Sequence, residues 1–195
     1  MDRDRLTAFT DGVIAVIITI MVLELKTPRD ASLGALLQQW PSFLSYVLSF
    51  IYVGIYWNNH HHFFQLTPAV NGAILWANLH LLFWLSLVPF ATGWVGENGF
   101  AAGPAAAYGV VLFMCAIAFF VMERVIMAAQ GPDSPLRRAV GNDFKAKLSP
   151  LLYLAGVASA FYLPAISYAL YALVALIWLV PDRRVEKVVQ GARDA

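Results

Sequence analysis

Residues 5–25 read RLTAFTDGVIAVIITIMVLEL, and the nature of the whole chain turns on this stretch. From Gly12 to Leu23 nearly every residue is apolar or β-branched, yet Asp11 and Glu24 bracket the run and Thr10 and Thr19 bring hydroxyls. A carboxylate at the centre of a membrane helix costs about 2.5–3.5 kcal/mol on insertion scales, so such groups face protein or water. The stretch therefore reads as a membrane helix that does more than anchor.

The remaining chain has the matching composition. Of 195 residues, 60% are hydrophobic and 13% charged, and the mean hydropathy is +0.66. Soluble domains average about 45–50% apolar and 25% charged, so an all-α integral membrane protein is expected. Between Asp30 and Glu123 the only charged side chain is Glu97, which leaves no basic stripe for nucleic acid. Cys115, the single cysteine, gives neither a disulfide framework nor a thiolate metal cluster. Arg3 and Arg5 ahead of an apolar run imitate a secretory leader. However, Asp11 interrupts the run, no A-x-A-like site follows and further apolar runs come after, so an uncleaved first helix is expected.

A crossing needs about 20 apolar residues. This predicts six spans in one domain, 1–195, at about 5–25, 42–64, 70–94, 104–127, 148–162 and 165–180. Leu148 to Val180 is a single apolar run of about 33 residues, too long for one crossing, and Pro164 divides it. One kinked helix there would leave five spans. Ala31 to Trp40 is expected to form a short interfacial helix. In the six-span arrangement Arg3, Arg5, Arg124, Arg137, Arg138, Lys145, Lys147, Arg183, Arg184, Lys187 and Arg193 collect on one side, with Lys26 and Arg29 on the other. The positive-inside rule then puts both termini in the cytoplasm, and five spans would split the basic clusters.

At 100° per residue, Ile20 and Leu23 lie within about 40° of Val16, with Gly12 and Thr19 on the flanks, while Asp11 points about 140° away. That apolar face either packs on neighbouring helices or lines an axis shared with other copies, where stacked apolar rings would gate by dewetting. Asp11 either carries a cation or proton or, as its direction favours, pairs with polar groups on other helices. Its candidate partners are Trp57, Asn58, Asn59, His60, His61 and His62 at the end of the second span and Trp76, Asn78 and His80 on the third. Three consecutive histidines point 100° apart and cannot share one ion; interfacial hydrogen bonding with one ring turned inward is expected, and no metal site. Trp40, Trp57, Trp94 and Trp178 read as belt residues and Glu123-Arg124 as a surface pair. No P-loop, G-x-S-x-G, H-E-x-x-H or TVGYG filter is present, so neither an enzyme nor a carbonyl-filter channel is expected. A small proton-coupled secondary transporter using Asp11 and a membrane histidine is the alternative from another class.

These residues also carry a family likeness. Arg5-x-x-x-Phe9-Thr10-Asp11-Gly12-Val13, then the aliphatic run with Thr19 and Val22-Leu23-Glu24-Leu25, resembles the first-helix signature of the transmembrane protein 175 family, the lysosomal and bacterial potassium channels. Trp57-x-x-His60-His61-x-x-Phe64, Leu75-Trp76-x-Asn78-Leu79 and Pro89-Phe90 look like its second and third helices. Thr10 stands where the family usually has serine. The resemblance implies a six-helix, single-repeat subunit that forms a homotetramer in the cell membrane of a bacterium around a pore lined by the first helix. Its permeant ion would be potassium and it would need no cofactor. Carried across by position, the gate falls on Val16, Ile20 and Leu23, with Val16 smaller than the isoleucine or leucine common there, and the threonine that favours potassium falls on Thr19. Arg5, Phe9, Thr10 and Asp11 with Asn78 and His80 would form the network that holds the pore helix.

Overall fold

The computed structural model describes residues 2–28, 30–141 and 144–179. These are helical throughout, with no strand among them. Helix α1 spans Arg3–Leu23. It starts where the Asp2 carboxylate accepts the Asp4 amide at 3.3 Å, a side-chain cap reinforced by acidic Asp4 in the first turn. Its buried residues are Leu6, Thr10, Ile14, Ile17 and Met21, spaced by three and four, so one stripe faces the bundle. Within residues 31–40 a short helix forms as expected, α2, Leu33–Leu37, capped by Ser32.

Helix α3, Trp40–Gln65, begins with Pro41 in its first turn, where the missing N–H costs nothing. The third expected span is divided into α4, Gly72–Ser86, and α5, Val88–Glu97, meeting at Leu87. Pro89 supplies no amide for the Leu85 carbonyl, which accounts for the break. Helix α6, Ala102–Gln130, ends at Gly131 with φ 84°. A short α7, Pro135–Val140, follows between α6 and the next long helix; it is capped by Ser134 and stopped by Gly141 at φ 53°. The last pair is α8, Phe144–Ser159, and α9, Pro164–Leu179, separated as the proline at 164 predicts.

Three stretches are long and apolar enough to cross a bilayer among the described residues: Arg3–Leu23, Gly72–Glu97 and Ala102–Gln130. Helix α3 is long enough but is diluted by its asparagines and histidines, and α8 and α9 have 16 residues each. The Gln130 amide donates to the Leu66 carbonyl at 2.7 Å, and Lys26 pairs with Glu97 at 2.5 Å. The first contact ties the ends of α3 and α6 together, and the second ties the far ends of α1 and α5. Arg29, Arg183, Arg184, Lys187 and Arg193 lie outside the described residues, as does the end of the sixth expected span.

Helix α6 packs between α4 and α8, and α1 rests on α3, α4 and α5. The expected surface pair at 123–124 is corrected. Glu123 is buried on the inward stripe with Cys115, Phe119 and Ile126, while Arg124 lies 4.6 Å over the Phe120 ring. One tight joint is at Tyr171, fully buried against two glycines. A Cβ at Gly109 would overlap its hydroxyl, and one at Gly156 would overlap its ring. Gly109→Ala is therefore expected to cost about 1–3 kcal/mol of stability by overpacking. Gly54→Ala, with nothing within 4 Å of the added carbon, should be neutral or stabilising by up to ~1 kcal/mol. Thermal unfolding of the two variants in one detergent compares them directly.

Candidate functional site

The bundle buries one side of α1 and leaves the other bare. Val16, Ile20 and Leu23 are 55%, 42% and 79% exposed, and Thr19 is exposed beside them. The Thr19 hydroxyl donates to the Val16 carbonyl at 2.8 Å, so its oxygen lone pairs remain available. Arg5 and Phe9, grouped above with the supporting network, also lie on the bare side, each about 20° from Val16 around the helix. Phe9 is 52% exposed.

The opposite shoulder carries a buried polar chain. Asn78 Nδ2 donates to Thr10 Oγ1 at 2.9 Å, and its Oδ1, which can only accept, takes the His60 Nε2 proton at 2.9 Å. Thr10, Asn78 and His60 are all buried, and the His60 ring stacks on Phe64 with centroids 4.4 Å apart. Next to this chain the Asp11 carboxylate accepts Trp57 Nε1–H at 2.9 Å, so Trp57 is a partner of α1 as well as a residue near a span end. Thr10 and Asp11 of α1 thus meet α4 through Asn78 and α3 through Trp57, whereas His80 does not join them. Its Nε2 accepts from Trp84 Nε1 at 3.0 Å on the same helix. The inward member is His60, which continues the α3 stripe Ser49, Tyr52, Tyr56 and Phe63. That spacing is the sequence signal that singles it out from His61 and His62. His80 lies 200° from Asn78 on α4 and falls off the inward stripe.

Where α1 ends, the Glu24 carboxylate lies over Gly93, where an added Cβ would come within 2.8 Å of Oε2. A cleft between Ile20, Glu24, Phe90 and Glu97 opens beside the bare stripe. No cluster of three or more His, Cys, Asp or Glu side chains is placed to hold a metal among the described residues. The arrangement offers an apolar, hydroxyl-flanked helix face, held in fixed rotation by hydrogen bonds on its other side.

Residues 5–89 match the family described as endosomal/lysosomal potassium channel TMEM175. A potassium channel of a Chryseobacterium species is 56% identical over 187 residues, covering 96% of this chain and 97% of that one. A potassium channel of Streptomyces collinus is 33% identical, with 91% of each chain covered. Among solved structures, the lysosomal potassium-selective channel TMEM175 homologue of Chamaesiphon minutus superposes with a TM-score of 0.80 at 28% identity, covering 92% of this chain and 97% of that one. With the bare first helix and the polar chain behind it, these matches identify the chain as a member of the TMEM175 family of potassium channels.

Proposed function

We propose that the chain is a potassium-selective or moderately selective cation channel of a bacterial cell membrane. It assembles as a homotetramer around an axis lined by α1. The observation that carries this reading is the division of α1: Leu6, Thr10, Ile14, Ile17 and Met21 are buried in the subunit, while Val16, Ile20 and Leu23 are left bare. An apolar face with no partner in its own subunit fits the inside of a symmetric assembly. Each subunit would form one domain crossing six times, through α1, α3, the α4–α5 pair, α6, α8 and α9. The basic residues at 3, 5, 124, 137, 138, 145 and 147 would mark the cytoplasmic side, with both termini there.

In the closed channel, four copies each of Val16, Ile20 and Leu23 form stacked constrictions too apolar to stay wet, and the cost of stripping an ion of water is the barrier. Rotation or tilt of α1 widens the rings and turns the Thr19 oxygens toward the ion. Potassium is the permeant species, and no cofactor takes part. A proton-coupled carrier built on Asp11 and a histidine has less support, because Asp11 is engaged by Trp57 and His60 by Asn78.

Planar-bilayer recordings test this reading. Under bi-ionic conditions Thr19→Val is expected to lower the potassium-to-sodium permeability ratio severalfold while current persists. An unchanged ratio removes Thr19 from the path. Native mass spectrometry of the purified chain should show four subunits, and a monomer would leave the bare face without a pore to line.

A further inference from the structure

A cavity of about 70 Å³ lies between α3, α6, α8 and α9, with Val140 of α7 beside it. Tyr56, Asn59 and Phe63 face it from α3, Phe119 and Glu123 from α6, and Trp178 from α9. The members on α3 and α6 recur at three and four residues, so each helix turns one stripe to the cavity. The Gln130 side chain ties the end of α6 to the end of α3 at Leu66. Asn59 and Glu123 each lie about two turns before that tie and so meet the cavity at a similar depth.

The hydrogen-bonding groups of the wall are unevenly spent. Trp178 Nε1 donates to Ser149, Ser149 donates to the Lys145 carbonyl and Asn59 Nδ2 donates to the Ile55 carbonyl, each at 2.8 Å. These donors are used, whereas Asn59 Oδ1 accepts no bond among the described residues. Tyr56 is 8% exposed. Its oxygen has no hydrogen-bond partner among the described residues yet retains accessible surface, and the cavity is the space that the residue borders. Glu123, 4% exposed, adds a carboxylate, which can accept about four hydrogen bonds and so has capacity beyond a single partner. The wall is rich in acceptors and short of donors, and the Phe63 and Phe119 rings beside it lie 4.9 Å apart.

We propose that this cavity binds the primary ammonium end of a short aliphatic amine, whose N–H groups donate to the Glu123 carboxylate, Asn59 Oδ1 and the Tyr56 oxygen. An ammonium carries three donors and no acceptor, which complements this wall. Its charge offsets the cost of burying a carboxylate, and the faces of Phe63 and Phe119 attract it through their ring quadrupoles. Lys145, which is not among the lining residues, already holds its Nζ 6.0 Å from the centre of the Trp178 ring, so that wall draws an ammonium from within the chain. The volume is about half that of a dry cavity of ~150 Å³ that takes benzene, which leaves room for the ammonium and one or two methylenes. Water also fits and finds acceptors, but it brings no charge to the carboxylate and gains little from the rings. The site lies inside one subunit and is independent of the pore assignment.

The test titrates the full-length chain in a non-ionic detergent with ethylammonium chloride at constant ionic strength, and saturation-transfer NMR reads the affinity. Tetramethylammonium, which has no N–H, and 1-propanol, which has no charge, are the comparison ligands. Ethylammonium should bind saturably and at least tenfold more tightly than either. Glu123→Gln should weaken it at least tenfold, the worth of a charge-assisted hydrogen bond, and Tyr56→Phe severalfold. Ala116→Phe should abolish binding by filling the space, whereas Val16→Ala, on the bare face of α1, should leave it unchanged. If Glu123→Gln does not fold, Tyr56→Phe and Ala116→Phe carry the comparison. Absence of saturable ethylammonium binding overturns the proposal, as does an affinity that survives in both Tyr56→Phe and Ala116→Phe. A high-resolution map at saturating ethylammonium that shows only water, or the Lys145 side chain, in the cavity also overturns it.

Discussion

Val16→Ala is expected to raise potassium current about tenfold at fixed voltage in planar bilayers. The expectation follows from what an apolar constriction does. Water leaves a narrow apolar ring because it cannot keep its hydrogen bonds there, and a potassium ion arriving at a dry ring must shed hydration with nothing to replace it. In the proposed tetramer, alanine would remove two carbons from every copy of Val16, widening the ring and reducing its apolar surface. Lowering the barrier by about 1.4 kcal/mol suffices for a factor of ten. Leu23→Ala should act in the same direction, as the most exposed member of the stripe at 79%. Val22→Ala is the control: it too is exposed, at 45%, but points about 120° away from Val16, so current should be unchanged. If Val16→Ala and Leu23→Ala both behave like Val22→Ala, the bare face of α1 is not the ion path.

Asn78→Leu is expected to destabilise the folded chain by about 2–5 kcal/mol. The amide joins two buried partners, Thr10 at 2.9 Å and His60 at 2.9 Å. Leucine leaves both without it, and each buried polar group so stranded costs about 1–3 kcal/mol. Because the three side chains polarise one another, removal of the middle one should cost more than removal of either end. Asn98→Leu, which disturbs a bond to the Trp94 carbonyl on an exposed residue, should stay within ~1 kcal/mol. Thermal unfolding in detergent, followed by tryptophan fluorescence, measures both. The sharper reading is a double-mutant cycle of Asn78→Leu with Thr10→Val. Strong coupling is expected, and simple additivity would mean the chain of bonds does not hold α1.

Much of this was legible in the sequence, for identifiable reasons. Helix α1 announces itself through length and apolarity, and the turn at Pro164 through a residue that cannot continue a helix. The break at Leu87 was hidden because Leu87, Val88 and Pro89 lie in unbroken apolar sequence. A lone proline in a crossing can bend, break or merely cap, and packing decides which. Helix α7 was hidden for the opposite reason: six residues among glycines, prolines and charges have no hydrophobic period to read. In the supporting network, Thr10 and Asp11 were readable from their cost in lipid. Choosing His60 over His80 depended on the rotational phase of two helices, which the α3 stripe contains but which three adjacent histidines obscure. Glu123 was misread because its charge suggested the surface, while its position on the α6 stripe pointed inward.

The broken third crossing has a mechanical consequence. Its first half grips α1 through Asn78 and Thr10, and its second half meets the other end of α1 where Glu24 lies over Gly93. A continuous helix would clamp both ends of α1 to one rigid bar. With one ladder bond lost at Pro89, the two halves share a weak point at Leu87 about which the proposed channel would bend. In the proposed channel, this would let the end of α1 that carries Leu23 move while the end that carries Thr10 stays fastened through Asn78.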